Sequence, residues 1–396
     1  MLTGKTVVLG VSGSIAAYKA VNIARGLKKL RCDVNVIMTE NAMNFIGPIT
    51  FESLTGNKCL VDTFDRNFKY SVEHVSLAKR ADAVLIAPAS ADVIGKIACG
   101  IADDMLTTTV MACTCRKLIA PAMNHNMYHN PIVQDNMKRL ESYGYSIIAP
   151  DRGMLANGDV GDGRMPDEQL LIDHIVHSIA YEKDLTGKRI LVTAGATRES
   201  IDPVRFITNH SSGKMGIALA NAAARRGAEV TLVAAHCDVP FPNFVSVVNV
   251  VTADDMMREV AARAEEQDII IKAAAVADYA PLCISDSKIK KADGDMSIPL
   301  RRTEDILKYI GQHRRKGQLI CGFSMETDNV IENSKKKLTA KNCDMICANS
   351  LRIDGAGFGA DTNVITLITQ KEEKKLPIMT KDETAHRILS KLISMI

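Results

Sequence analysis

Gly4-Lys5-Thr6-Val7-Val8-Leu9-Gly10-Val11-Ser12-Gly13-Ser14-Ile15-Ala16-Ala17-Tyr18-Lys19 decides the fold of this 396-residue chain. Thr6–Leu9 is a β-branched run that reads as a buried strand. Gly10, Ser12, Gly13 and Ser14 form a turn of small residues, and a helical segment over Ile15–Lys29 follows. Small residues let the backbone approach an anion, two hydroxyls stand beside it, and the helix start supplies N–H groups. The turn is not the GxGxxG dinucleotide fingerprint, because its glycines stand only at Gly10 and Gly13. The same interruptions argue against a secretory h-region over Met1–Ala20. Gly187-Lys188-Arg189-Ile190-Leu191-Val192 repeats the opening pattern, so a second unit starts there.

Between these two starts, strand candidates at Val34–Met38, Ala83–Ala87, Lys117–Ala120 and Ser146–Ala149 alternate with helical periods at Ala91–Ala98 and Ile132–Tyr143. Pro131 suits the first turn of its helix, where a missing N–H costs nothing. Asp151–Pro166 breaks the rhythm and reads as a long glycine-rich loop, of the kind that usually carries function. A helix over Asp167–Tyr181 and the polar Glu182-Lys183-Asp184 close the first half. The second half has strand candidates at Ile190–Thr193, Glu229–Val233, Val245–Val250, Ile269–Lys272, Leu319–Phe323 and Met345–Ala348. Helical periods at Met215–Arg226, Ala253–Ala264 and Asn329–Thr339 fit between them. Val364–Ile368 and Lys375–Ile378 suggest a hairpin, and Lys381–Ile396 a closing helix. The expected fold is α/β: two doubly wound, mostly parallel-sheet, Rossmann-like domains at 1–181 and 187–396.

Composition limits the function classes. Lys plus Arg is 49 and Asp plus Glu 46, a net charge of +3, whereas holding nucleic acid by its phosphates needs a dense basic face. Aromatics are 4% with no tryptophan, so base-stacking platforms are scarce. No stretch approaches the ~18 apolar residues of a membrane span. The ten cysteines follow neither a disulfide framework nor paired zinc-knuckle spacing; most read as small buried thiols, Cys113-Thr114-Cys115 included. A reducing cytoplasm is the expected compartment.

Three strand ends, at Ser12–Ser14, at Thr39 and at Ser90, put hydroxyls on one sheet edge, which points to a cofactor crevice. Pro121-Ala122-Met123-Asn124-His125-Asn126-Met127-Tyr128 follows a fourth strand. Alone, Asn124 would be a turn residue, His125 a surface histidine and His74 a helix-capping one. In the second half, Asn209-His210-Ser211-Ser212-Gly213-Lys214-Met215-Gly216 opens a helix and repeats the anion-cradle pattern. Ser212 could instead be a plain N-cap, although Asp202-Pro203-Val204-Arg205 beside it favours anion binding. Lys288-Ile289-Lys290-Lys291 and Lys335–Lys337 would, by themselves, be solvated charge runs.

SGSIAAYK, the His74 segment, PAMNHNMY and GDVGDGRMPD, in this order, closely resemble the flavin-dependent cysteine decarboxylases. TAGATRESIDPVRFITNHSSGKMG, AAAVADY and KIKK resemble phosphopantothenate–cysteine ligases. Together they resemble the bifunctional phosphopantothenoylcysteine decarboxylase/phosphopantothenate–cysteine ligases of bacterial coenzyme A synthesis, over essentially the whole chain. The resemblance implies a flavodoxin-like flavin domain followed by a nucleotide-binding ligase domain. In the first it implies FMN held by Ser12, Gly13, Ser14, Thr39 and Ser90. Oxidation of the cysteine thiol to a thioaldehyde places the carboxylate beta to an electron sink, so CO₂ leaves; reduction of the enethiolate completes the cycle. His74 matches the base-like histidine and Asn124 the amide that holds the carboxylate. Met127 and the Asp151–Pro166 loop match the substrate clamp. Asn157 stands where the family has its proton-donating cysteine.

In the second domain the resemblance implies activation of 4'-phosphopantothenate by CTP as an acyl cytidylate, which cysteine attacks as CMP leaves. Asn209 stabilises the intermediate and Lys288 neutralises developing charge. Arg205, Ser212, Gly213, Lys272, Ala273, Ala274, Asp278, Phe323, Lys337 and Lys341 match nucleotide or substrate contacts. So do Glu304, Asp305, Ile306 and Leu307, although Thr303-Glu304 replaces the family's usual Asn-Pro. Mg²⁺ is implied by the triphosphate alone, without a dedicated carboxylate cage. The family also suggests a homo-oligomer with dimer contacts in each half. A duplicated NAD(P) oxidoreductase would need GxGxxG, and a flavin-binding regulator would not need the Asn209–Gly216 motif.

Overall fold

The computed structural model describes residues 1–64, 73–155, 158–290, 296–326, 329–350 and 359–395. Asn157 and Lys291 lie outside the described residues. The chain divides into two compact units, Met1–Tyr181 and Glu182–Ile396.

The first unit runs β1 (Thr6–Val11), α1 (Lys19–Lys29), β2 (Asp33–Met38), α2 (Pro48–Thr55), α3 (Glu73–Arg80) and β3 (Ala83–Ala89). It continues with α4 (Ala91–Ala98), α5 (Met105–Ala112), β4 (Arg116–Pro121), α6 (His125–Tyr128), α7 (Pro131–Ser142) and β5 (Ser146–Ile147). The ribbon strands β6 (Asp151–Met154) and β7 (Val160–Arg164) and helix α8 (Glu168–Ile179) complete it. β1 to β5 form one parallel sheet in the order β2-β1-β3-β4-β5, which is the flavodoxin-like order.

Both sheet faces are covered, so the strands read as continuous apolar runs. Leu9 and Leu85 pack with Ile23 and Leu27 of α1 on one face, while Val8 and Ile86 meet Ile94 and Leu106 on the other. Ile23 is fully buried, and truncating such a residue to alanine costs about 2–5 kcal/mol. Gly26 lets α8 close onto α1: a Cβ there would lie 2.3 Å from Ile172.

Two expectations change in this unit. The helical segment over Ile15–Lys29 starts as a separate 3₁₀ turn, Ile15–Tyr18, before α1. Asp151–Pro166 is not a plain loop, because β6 and β7 pair in an antiparallel hairpin. Its strands are short and mostly exposed, so they lack the apolar alternation by which strands are recognised.

The second unit runs β8 (Arg189–Ala194), β9 (Arg198–Ser200), β10 (Phe206–Thr208), α9 (Lys214–Arg225), β11 (Glu229–Ala234), β12 (Ser246–Asn249), α10 (Ala253–Ala264) and β13 (Ile269–Lys272). Then come β14 (Tyr279–Pro281), β15 (Leu300–Arg302), α11 (Ile306–Gln312), β16 (Leu319–Glu326), α12 (Val330–Ala340) and β17 (Met345–Ser350). β18 (Thr362–Asn363), β19 (Ile365–Thr369), β20 (Glu373–Lys375), β21 (Met379–Thr380) and α13 (Lys381–Ile393) end the chain. Its eight-stranded sheet has the order β12-β11-β8-β13-β16-β17-β19-β20. The first six are parallel and reproduce the doubly wound Rossmann order, 3-2-1-4-5-6. β19 and β20 add an antiparallel edge, the expected hairpin with its second arm shifted to Glu373–Lys375. Two small antiparallel ribbons, β9–β10 and β14–β15, hold the loops at the carboxyl edge. The expected α/β class, with two doubly wound sheets, is what the chain forms.

Candidate functional site

In an open parallel sheet, ligands sit beyond the strand carboxyl ends where the strand order reverses. In the first unit that point lies between β1 and β3. Ser12 follows β1 there with its hydroxyl engaged on both sides: it donates to Pro88 O at 2.8 Å and accepts from Ser90 N–H at 2.8 Å. Ser12 is fully buried and stitches the crevice together rather than facing it. The other hydroxyls cap the elements that follow. Ser14 accepts from Ala16 N–H at 3.3 Å, Thr39 from Ala42 N–H at 3.3 Å and Ser90 from Val93 N–H at 3.4 Å. Each cap aims the start of a helical element toward the same edge. Gly13 lets that loop lie against Asn41, whose Cβ would be 2.6 Å from any added Cβ.

A cavity of about 600 Å³ opens beside this edge, between Ser14–Lys19, Ala122–Asn124 and the hairpin residues Met154, Leu155 and Gly163–Met165. Asn124 caps α6: its Oδ1 accepts from Asn126 N–H at 2.9 Å. That bond fixes the amide orientation and leaves the NH₂ group as the donor on offer. Lys19 is buried, with its Nζ 3.5 Å from Met165 O. Gly163 (φ +126°) lets the hairpin lie on the Asn124 turn, since an added Cβ would stand 2.2 Å from Met123 O. Met127 is exposed on α6. His74 is half-buried near the start of α3, and neither it nor Met127, Thr39 or Ser90 lines this cavity.

In the second unit the order reverses between β8 and β13, and a cavity of about 460 Å³ lies there. It gathers Asn209, Ser212, Gly213, Lys272, Ala273, Ala274, Asp278, Phe323 and Lys337 of the sequence-derived set. Gly213, not Ser212, is the N-cap of α9; its φ is +71° and no side chain caps the helix. Gly213 has no side chain with which to cap α9, so the start of the helix borders the cavity beside Ser211, whose Oγ accepts from Gly213 N–H at 3.4 Å. Cys237 backs the turn, only 2.4 Å from any Cβ placed on Gly213. Asn209 donates from Nδ2 to Val276 O at 3.1 Å.

Lys272, at the end of β13, donates to Ala274 O at 3.0 Å. Burial, assisted by the neighbouring Lys337 charge, pushes its ammonium down to about 8, with Asp278 opposing. Lys337 lies 3.4 Å from Phe323 O. Burial likewise lowers Lys341, whose Nζ pairs with Asp305.

The remaining candidates are placed elsewhere. Arg205 is bound to Asp202 through Nε at 2.9 Å and through Nη2, which also donates to Ile289 O at 3.0 Å. Asp202 further accepts from Ile289 N–H at 3.2 Å, and the Arg205 bond holds its carboxyl well below the usual range. Arg205 thus anchors the segment that carries Lys288, instead of offering a vacant guanidinium to an anion. Lys288 and Glu304 are exposed. Asp305 caps α11 by accepting from Lys308 N–H at 2.9 Å. Ile306 and Leu307 are buried in the core, so only their backbones could meet a ligand.

Three lysines were not assigned from sequence. Lys19 and Lys214 belong to the quoted motifs, so their signal was present. Lys381, at the first turn of α13, lines the second cavity beside Lys214 but carries no motif. The ten cysteines are free thiols.

Comparison with known proteins agrees with this division. A family described as flavoprotein matches residues 1–180, and one described as DNA/pantothenate metabolism flavoprotein C-terminal domain matches residues 185–395. The coenzyme A biosynthesis bifunctional protein CoaBC of Bacillus subtilis (strain 168) is 44% identical over 399 residues, covering 100% of this chain and 98% of that protein. The chain belongs to the bifunctional coenzyme A biosynthesis family. The corresponding protein of Escherichia coli (strain K12) is 41% identical over 396 residues, 99% of this chain and 98% of that one. A crystal structure of the C-terminal domain of such a protein is 43% identical, covers 54% of this chain and 98% of its own, and has a TM-score of 0.47. The chain is a bifunctional enzyme of coenzyme A synthesis, a flavoprotein with a decarboxylase and a ligase activity. Among the described residues no helix is long and apolar enough to cross a membrane.

Proposed function

We propose that the second unit joins cysteine to 4'-phosphopantothenate using CTP, and that the first unit decarboxylates the resulting phosphopantothenoylcysteine with FMN. The observation that carries the assignment is the second cavity: an uncapped helix N-terminus faces it together with Lys214, Lys272, Lys337 and Lys381. Such a concentration of positive charge suits a triphosphate far better than a neutral ligand. The triphosphate arrives as its Mg²⁺ complex. The carboxylate of 4'-phosphopantothenate attacks the α-phosphorus, pyrophosphate leaves, and the amine of cysteine displaces CMP from the acyl cytidylate. Asn209 offers an amide hydrogen to the anionic intermediate. Lys288, on the segment anchored by Arg205, neutralises charge as it develops, and Asp278 takes the ribose.

The first cavity fits a flavin by the chemistry of its lining. Ile15, Tyr18, Met123, Met154, Leu155 and Met165 give apolar walls for a flat ring system. The adjoining strand ends would hold the phosphate through Gly13, Ser14, Thr39 and Ser90. Bound FMN supplies two-electron oxidation of the substrate and the later return of those electrons. The chain's own groups do the rest. Asn124 donates to the substrate carboxylate and orients it, and the hairpin covers the substrate; His74 and Met127, which lie outside this cavity, would accept the thiol proton and extend the cover where the substrate reaches beyond it. We place the protein in a reducing cytoplasm, in keeping with its free thiols, as a homo-oligomer with dimer contacts in each unit.

Purified full-length protein should carry a flavin absorbance band and release pyrophosphate from CTP only when 4'-phosphopantothenate is present. A nicotinamide signal without flavin, or no CTP-dependent pyrophosphate, would reject the assignment.

A further inference from the structure

Beside the first cavity, the turn that follows Asn124 carries two histidines one helical turn apart. His125 and His129 meet edge to face, with ring centroids 4.4 Å apart. Asp162 of β7 reaches the same point from the hairpin. Its Oδ2 lies 2.9 Å from His129 Nε2, and its backbone N–H donates to His125 Nδ1 at 3.1 Å. One nitrogen of each imidazole and one carboxylate oxygen all lie within 4.8 Å of one another. We propose that His125, His129 and Asp162 form a binding site for a divalent transition metal of the zinc class, one that ties the β6–β7 hairpin to the Asn124 turn.

The donor set selects the class of ion. Two imidazoles and a carboxylate suit Zn²⁺, Co²⁺ or Ni²⁺, whereas Mg²⁺ and Ca²⁺ prefer all-oxygen shells. Histidines at i and i+4 present both rings on one face, the spacing that helical zinc motifs use. The separation between His129 and Asp162 needs only small adjustment, and no pair of donors has to close by more than about 1.4 Å, from the 4.8 Å limit. Two ligands each about 2.1 Å from a tetrahedral ion stand about 3.4 Å apart, and His129 and Asp162 already stand at 2.9 Å. Three protein ligands leave a fourth position for water, as in open zinc sites.

Glycine makes the approach possible. A Cβ on Gly161 would lie 2.6 Å from His125 Nδ1, so a side chain there would push the hairpin away from the ring. Metal ligation gives up the bond from Asp162 N–H to His125. That bond is only part-buried, so water can replace it. Asn124 and the hairpin residues Met154, Leu155 and Gly163 line the same cavity, so the ion would fix one wall against another. The inference does not depend on which ligand fills that cavity.

The test uses full-length protein stripped with a chelator and titrated with Co²⁺, whose visible spectrum reports its ligands. The expected result is one saturable equivalent with nitrogen and oxygen ligation, free of the thiolate-to-cobalt charge-transfer band that any of the ten cysteines would give. Zn²⁺ should displace it. His129→Asn and Asp162→Asn should each weaken binding at least tenfold while circular dichroism stays unchanged, and Cys115→Ser should leave the affinity as it is. No saturable uptake, uptake that shows only the thiolate band, or an affinity unchanged in both variants would overturn the site.

Discussion

The two units wind similar parallel sheets and place their cavities at corresponding edges, yet they prepare for an anion in opposite ways. In the first unit the strand-end hydroxyls of Ser14, Thr39 and Ser90 each cap the element that follows, and one buried lysine, Lys19, borders a largely apolar cavity. In the second unit α9 starts at Gly213 with no side-chain cap, and four lysines line the cavity. The first arrangement is complete before any ligand arrives and suits a large apolar group with one phosphate. The second gathers four lysines, each already held by a protein oxygen, around a helix start that a polyphosphate could meet. Topology fixes where each site lies, and the side chains at the strand ends fix what it accepts.

The contrast is sharpest at the proton each reaction needs, and the largest expected effect is there. Asn157 has no proton to donate near neutral pH, whereas a thiol, with a reference pKa near 8.5, has one. The chain should therefore release CO₂ and leave a product two hydrogens lighter than phosphopantetheine. Asn157→Cys should accelerate the final reduction about 10²–10⁴-fold, the usual contribution of a positioned acid. Mass spectrometry of an anaerobic single turnover decides it, and full-mass product formed at an ordinary rate by the unaltered chain would show that another acid serves.

In the second unit the corresponding weak point is the amide of Asn209. A carboxylate there would repel the anionic tetrahedral adduct that cysteine forms on the cytidylate, so Asn209→Asp should slow turnover about 10²–10³-fold while the cytidylate accumulates. Rapid-quench analysis with labelled CTP would show this; a loss confined to CTP affinity would make Asn209 a ground-state contact instead.

Charge should separate the units by pH. Lys272 is cationic below about 8 and neutral above it, and a triphosphate favours the cation. CTP affinity should then fall as pH rises through 8, with a slope and a proton uptake that approach tenfold per pH unit and one proton well above it. FMN affinity should not share this slope, because Lys272 belongs to the other unit. Titration calorimetry from pH 7 to 9.5 measures both, and Lys272→Arg should flatten the CTP curve. A flat curve in the unaltered chain would mean that the lysine does not meet the nucleotide.

Much of this contrast is legible in the sequence because both sheets are buried on two faces. Runs such as Ile269–Lys272 and Ala83–Ala87 then stand out as apolar strands, and glycine turns mark their ends. The β6–β7 hairpin was not legible, because its half-exposed strands are too rich in glycine to alternate. The site residues differ in legibility for a related reason. Asn209 stands in a motif that opens a helix and Lys272 at the end of a strand candidate, where position implies function. Lys381 enters from the start of a closing helix, visible only once the chain is folded. The Asp202-Pro203-Val204-Arg205 stretch reads as an anion site, and the bond from Arg205 to Ile289 O, 84 residues on, shows only in the fold.

The smallest effect distinguishes two serines that the sequence treats alike. Ser12 uses its hydroxyl as donor to Pro88 O and as acceptor from Ser90 N–H, and it is fully buried. Ser90 accepts from Val93 N–H, which leaves its own hydroxyl proton available to a phosphate oxygen. Ser12→Ala removes a buried bond and strands the Ser90 N–H, so it should lower stability by about 1–2 kcal/mol and leave FMN affinity in the folded protein unchanged. Ser90→Ala removes a cap, at about 1 kcal/mol, and should weaken FMN about fivefold in addition, the worth of one hydrogen bond near 1 kcal/mol. Thermal denaturation and flavin-fluorescence titration of both variants separate the two roles. If Ser12→Ala lost flavin affinity while Ser90→Ala kept it, the cofactor would bind deeper between β1 and β3 than the hydrogen bonds of Ser12 permit. The hydroxyl network would then have to rearrange on binding, rather than stand ready before it.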